Sequence, residues 1–108
     1  MSNSDKFIAM IGFAKRARKI IYGLDKLKTS KQVKLLAVSD TASDNLLSEM
    51  NALADKKKCP IVYAAGLEIS VGNNVKALGM TDAGMVSAAI EYVEAVGGDR
   101  YKIRKHTK

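Results

Sequence analysis

Four cations fall within five residues at Lys15, Arg16, Arg18 and Lys19, and the short apolar run Ile20-Ile21-Tyr22 leads from them to Gly23. Lysines and arginines gathered this way can hold a phosphate backbone through charge-assisted hydrogen bonds. Lys26 and Lys28 follow just beyond the glycine. Other kinds of chemistry fail on inventory. His106 is the single histidine and lies near the C-terminus, so a histidine-based triad has no base in the packed part of the chain. One cysteine and one histidine make no zinc cluster. Gly66, Gly72, Gly79 and Gly84 are spaced wrongly for a phosphate loop or a dinucleotide fingerprint. Cys59 follows three lysines that could lower its pKa, but a small residue at a helix-to-strand junction is the stronger reading. The acids are scattered, and Asp40 with Asp44 suits loop and cap chemistry. The expectation is a protein that is not an enzyme, uses no cofactor or metal, and binds a polyanion.

Charge distribution strengthens that expectation. The chain has 108 residues and a net charge of +7. Residues 1–34 contribute +7, residues 35–96 contribute −4 and residues 97–108 contribute +4. Cations are thus segregated to the two ends, which points to one polyanion-facing side rather than to solubility alone. Aromatic residues are few, at two Phe, four Tyr and no Trp. A stacking platform for single strands is poorly supported, and Tyr22 is the one aromatic suitably placed for it. A folded RNA held by backbone contacts and shape fits this inventory better. No apolar run approaches the roughly 20 residues that cross a bilayer. The polar start and lone cysteine predict a cytoplasmic protein without a membrane partner.

The elements that must position these residues alternate between helix and strand. Residues 5–17 read as a helix with Phe7, Ile8, Ile11 and Ala14 on one face, Ser4 as its cap, and Gly12 marking a close backbone approach. Residues 19–22 read as a short strand and residues 24–28 as a helix of at most two turns. Residues 33–38 form the clearest strand, buried on both faces. A helix follows to about Lys57, opened by Thr41 and Asp44 as a capping box. The lysines at 56–58 then sit where the helix dipole favours cations, and read as a helix end rather than a site. Residues 61–64 and 75–80 are strands, with one or two helical turns between Gly66 and Gly72. Thr81 caps a last helix that ends at Gly97-Gly98. This gives an α/β sandwich with helices on both faces of a small sheet. Residues 1–97 form one domain, and residues 98–108 a basic, mobile tail.

The pattern Ile11-Gly12-Phe13-Ala14-Lys15-Arg16-Ala17-Arg18-Lys19, then Gly23-Leu24-Asp25, then Leu36-Ala37-Val38-Ser39-Asp40-Thr41-Ala42-Ser43 resembles the bacterial YlxQ-type proteins. These belong to the ribosomal protein L-seven-Ae and L-thirty-e superfamily, whose members bind kink-turn RNA. Leu67-Glu68-Ile69-Ser70-Val71-Gly72 and residues 75–83 resemble later segments of the same family. The resemblance covers residues 7–95 and implies a three-layer α/β/α sandwich around a small mixed sheet. It also implies RNA binding through Gly23, Leu24, Asp25, Lys26 and Lys28, with help from Asn73, Asn74 and Val75. Together with the cations at Lys15, Arg16, Arg18 and Lys19, these form the expected site. The expected partner is a structured RNA, ribosomal or another kink-turn RNA, with protein partners also open. Kink-turn binders carry Gly-x-Asn-Glu where this chain has Gly23-Leu24-Asp25-Lys26. That exchange and the short second helix point to the alternative, a protein-interaction adaptor on the same fold.

Overall fold

The computed structural model describes residues 6–65, 67, 75–96 and 101–104. Along the chain these form α1 (Lys6–Arg16), β1 (Ile20–Tyr22), α2 (Leu24–Thr29), β2 (Leu35–Ser39), α3 (Asp44–Lys57), β3 (Ile61–Ala64), β4 (Ala77–Met80), α4 (Ala83–Val96) and β5 (Tyr101–Arg104). The strands make one mixed sheet in the order β1-β4-β2-β3-β5. The pair β2 and β3 runs parallel; β1 with β4, β4 with β2, and β3 with β5 are antiparallel.

β2 is buried along its whole length, as a continuous apolar run requires. Its alternating side chains enter two different cores. Leu35 and Ala37 join Phe7, Ile11 and Ala14 of α1 and Val86, Ala89 and Val93 of α4. Leu36 and Val38 join Leu27 of α2 and Met50, Leu53 and Ala54 of α3. The result is a three-layer α/β/α sandwich, as expected. Fully burying one leucine is worth about 1.5–3 kcal/mol, so these two rows anchor the layers.

Two caps differ from expectation. Ser43, not Thr41, caps α3, its hydroxyl accepting from the Leu46 N–H at 3.1 Å. Thr41 instead bonds the buried Ser39 hydroxyl. Asp82 rather than Thr81 caps α4, accepting from the Met85 N–H at 2.9 Å, while Thr81 bonds the Lys19 carbonyl. In both places the residue nearer the helix won because its oxygen reaches the open N–H groups. Among the described residues Gly12 makes no close approach to another element: a Cβ there would meet the Arg16 guanidinium, at 3.9 Å. The Ser4 cap and most of the turn between Gly66 and Gly72 lie outside the described residues.

The mobile tail is also corrected. Residues 101–104 are the edge strand β5, paired with β3 from Ala64↔Tyr101 to Ile61↔Arg104. Tyr101 is buried, its ring centroid 4.9 Å from that of Phe7. The Arg104 guanidinium donates to Asp55 at 3.0 Å and to the Asn51 side chain at 3.0 Å, fastening the strand to α3. The hydrogen bond to Asp55, followed by one to Tyr63, raises the Arg104 pKa further above its ordinary value. The rest of the expected tail, 98–100 and 105–108, lies outside the described residues.

Candidate nucleic-acid interface

The expected site residues divide into two groups at opposite ends of β1. Ile20 pairs with Met80 at one end of the strand, and Tyr22 with Leu78 at the other. Four residue steps of extended chain separate Lys19 from Gly23, about 13 Å. The basic helix end and the glycine turn are therefore not one compact turn, although their closeness in sequence suggests it.

At the Gly23 end, the backbone adopts φ 89° and ψ 142°, a region that glycine enters without strain. The Gly23 carbonyl accepts from the Leu27 N–H at 3.0 Å and starts α2. Six residues make too short a helix to stand alone. Three contacts hold it. Leu27 fits over Gly79, where an added Cβ would lie 2.5 Å from the Leu27 Cδ2. Lys28 pairs with Glu49 of α3 at 3.3 Å. The Lys57 ammonium donates to the carbonyls of Lys28 and Ser30, at the end of the helix where carbonyls lack partners. So placed, Gly23 and Leu24 line an open groove of about 420 Å³ with Tyr22, Leu46, Val75, Lys76 and Ala77. Asp25 and Lys26 are exposed on the first turn of α2. The structure thus brings Gly23, Leu24 and Val75 together. Lys28 is engaged with Glu49, and Asn73 and Asn74 lie outside the described residues.

Tyr22, expected as a stacking aromatic, is half-buried and lines the groove. It packs against the core beneath α1 and α4, and its hydroxyl oxygen is buried without a hydrogen-bond partner among the described residues. Burial pushes its phenol pKa up. Cys59 is likewise buried, and desolvation raises its thiol pKa against the opposing charge of Lys57. A raised pKa leaves less of the reactive thiolate.

At the other end of β1, α1 closes with its Phe13, Ala14 and Lys15 carbonyls satisfied. The Lys19 N–H reaches the Ala14 carbonyl at 2.8 Å and the Arg18 N–H the Lys15 carbonyl at 3.1 Å. Arg18 sits between them in the left-handed region at φ 60°. Lys15, Arg16, Arg18 and Lys19 are all exposed, and none forms an ion pair among the described residues. Beside them is a residue that the site expected from sequence does not contain. Phe13 is 61% exposed, with the Arg16 guanidinium carbon 4.9 Å from its ring centroid. Its position two residues after Ile11 puts it off the apolar stripe, which is the signal the sequence offers.

Among the described residues no group of His, Cys, Asp and Glu could hold a metal ion, and no helix is long and apolar enough to cross a membrane. No protein-family model matches the chain, and no curated protein does. Among solved structures, that of a protein with unknown function from Bacillus halodurans C is similar, with a TM-score of 0.71. The match covers 82% of this chain and 97% of that one at 19% sequence identity, a likeness of fold.

Proposed function

We propose that this protein is a non-catalytic, ribosome-associated RNA-binding protein of the L-seven-Ae and L-thirty-e type, which recognises kink-turn-like RNA at the groove beginning at Gly23. The observation that carries the reading is the meeting of Gly23 and Leu24 with Val75 on one open surface. These are the segments that the resemblance assigns to RNA, some fifty positions apart in the chain. The apolar groove suits a nucleotide turned out of a helix, and Lys76 on its rim suits the adjoining phosphate. The cations at the far end of β1 extend the surface electrostatically along the sheet edge. Titrating the protein with a kink-turn RNA and with an unkinked duplex, each at two salt concentrations, tests this. Preference for the kinked RNA that Leu24→Glu abolishes is the expected result. Equal affinity for both RNAs, untouched by Leu24→Glu, would end the kink-turn reading.

A second reading, the protein-interaction adaptor, draws on Asp25 and Lys28. The first places a negative charge at the start of α2, and the second is already paired with Glu49. If neither RNA binds, this reading takes over.

A further inference from the structure

We infer that the C-terminal end of α1 is a second RNA contact, where Phe13 and Arg16 stack an unpaired base of a single-stranded segment and Lys15, Arg18 and Lys19 hold its phosphates. The inference deepens the RNA-binding reading and rests on it for the class of partner.

Among the described residues Phe13 is the one large hydrophobic side chain left exposed. With Met10 of α1 and Met85 and Ala88 of α4 it lines an apolar groove of about 250 Å³ between the two helices. The guanidinium of Arg16 lies over the ring, so a flat aromatic and a flat cation are presented together, the pairing that nucleobases stack on. The four neighbouring cations have no acidic partner among the described residues, and Asp82, the acid nearest Met85 in sequence, caps α4. Phosphates are spaced closely enough along a strand for several to face these cations at once.

Charge selects among the occupants of this apolar face. A second copy docked Phe13 to Phe13 would set four cations against four. A phosphodiester strand supplies the opposite charge and, in its bases, the apolar face. The Arg16 guanidinium over the Phe13 ring adds a flat cation to that face, which suits stacking of a base. The four side chains that line the groove are apolar and cannot read base edges, so stacking here is tolerant of sequence.

The test uses the full chain with three RNAs: a twelve-nucleotide uridine strand, a blunt kink-turn RNA, and that kink-turn RNA extended by eight unpaired uridines. Phe13→Ala should weaken binding of the uridine strand by about fivefold to a hundredfold, the span of one base stacked on an aromatic ring. Phe13→Tyr should restore it. The blunt kink-turn RNA should bind both variants as it binds the natural protein, and the thermal midpoint should not move. If Phe13→Ala leaves the uridine strand and the extension unaffected, or if the uridine strand does not bind, the inference is overturned. A partner protein then becomes the better occupant. Loss of kink-turn preference with a Phe13-dependent uridine strand would instead remove the kink-turn reading and leave this contact standing.

Discussion

Arg18 ends α1 and Lys58 ends α3 in the same left-handed conformation, at φ 60° and 57°. Each is closed by the same pair of backbone bonds: Lys19 and Arg18 to Ala14 and Lys15 in one, Cys59 and Lys58 to Ala54 and Asp55 in the other. Both ends carry a run of cations, and the helix dipole favours both runs equally. They differ in what the charges touch. Lys57 reaches across to the Lys28 and Ser30 carbonyls and pins α2. Lys15, Arg16, Arg18 and Lys19 meet no acid among the described residues and stand beside an exposed ring. A helix end thus explains why cations are tolerated in both places. The neighbouring element decides which of them build the fold and which face outward.

The largest expected effect comes from the most firmly engaged cationic segment, β5. Deleting residues 101–108 removes the buried Tyr101 and the Arg104 contacts to α3. The deletion should cost at least about 3 kcal/mol in urea unfolding, as loss of a buried aromatic does. An unchanged midpoint would return the segment to a loose arm and erase the contrast between engaged and outward-facing charge.

Charge reversal sharpens the contrast directly. Changing Arg16, Arg18 and Lys19 to Glu should weaken RNA binding well over tenfold, that is by more than about 1.4 kcal/mol. Each phosphate the variant no longer neutralises should take about 0.7–0.9 from the log–log salt slope, while stability falls only by the helix-dipole contribution common to both ends. Changing Lys56, Lys57 and Lys58 to Glu should do the reverse, lowering the unfolding midpoint while altering RNA affinity only through net charge. Equal losses of affinity and slope would mean diffuse electrostatics without a site.

A smaller effect isolates one side chain. Lys57→Met keeps the stem and removes the ammonium from the end of α2, which should cost about 1–2 kcal/mol, a charge-assisted hydrogen bond's worth. Hydrogen exchange should show the loss concentrated in Leu24–Thr29. Uniform loosening would make Lys57 no more than a surface charge.

The smallest effect separates backbone from charge. Glycine adopts the left-handed conformation freely, so Arg18→Gly and Lys58→Gly should each stabilise the protein by up to about 1 kcal/mol. Only Arg18→Gly should also flatten the salt dependence of RNA binding. A common response from both variants would make the two helix ends equivalent after all.

The alternation of helix and strand is legible in the sequence because apolar spacing reports burial: 61–64 reads as a strand and is β3, and the fully apolar 35–38 marks the centre of the sheet. β5 escapes such a reading because four residues, Tyr101-Lys102-Ile103-Arg104, carry two cations and look like tail. Their alternation is visible once Tyr101 is known to point inward. The candidate site is legible in its residues but not in its arrangement. Lys19 and Gly23 are neighbours in sequence, and the extended strand between them carries them to opposite ends of β1. Lys28 could not be recognised as engaged, because Glu49 comes from another helix.

The contact between Phe7 and Tyr101 has a consequence in time. It joins the first described helix to the last strand, closing nearly the whole chain into one loop. The length-dependent entropy of such a closure is about 4 kcal/mol, and contacts this distant in sequence slow folding. Synthesis from the N-terminal end makes α1 before β5, so Phe7 cannot complete its packing until Tyr101 follows. Until then the side of Phe7 that Tyr101 covers stays open.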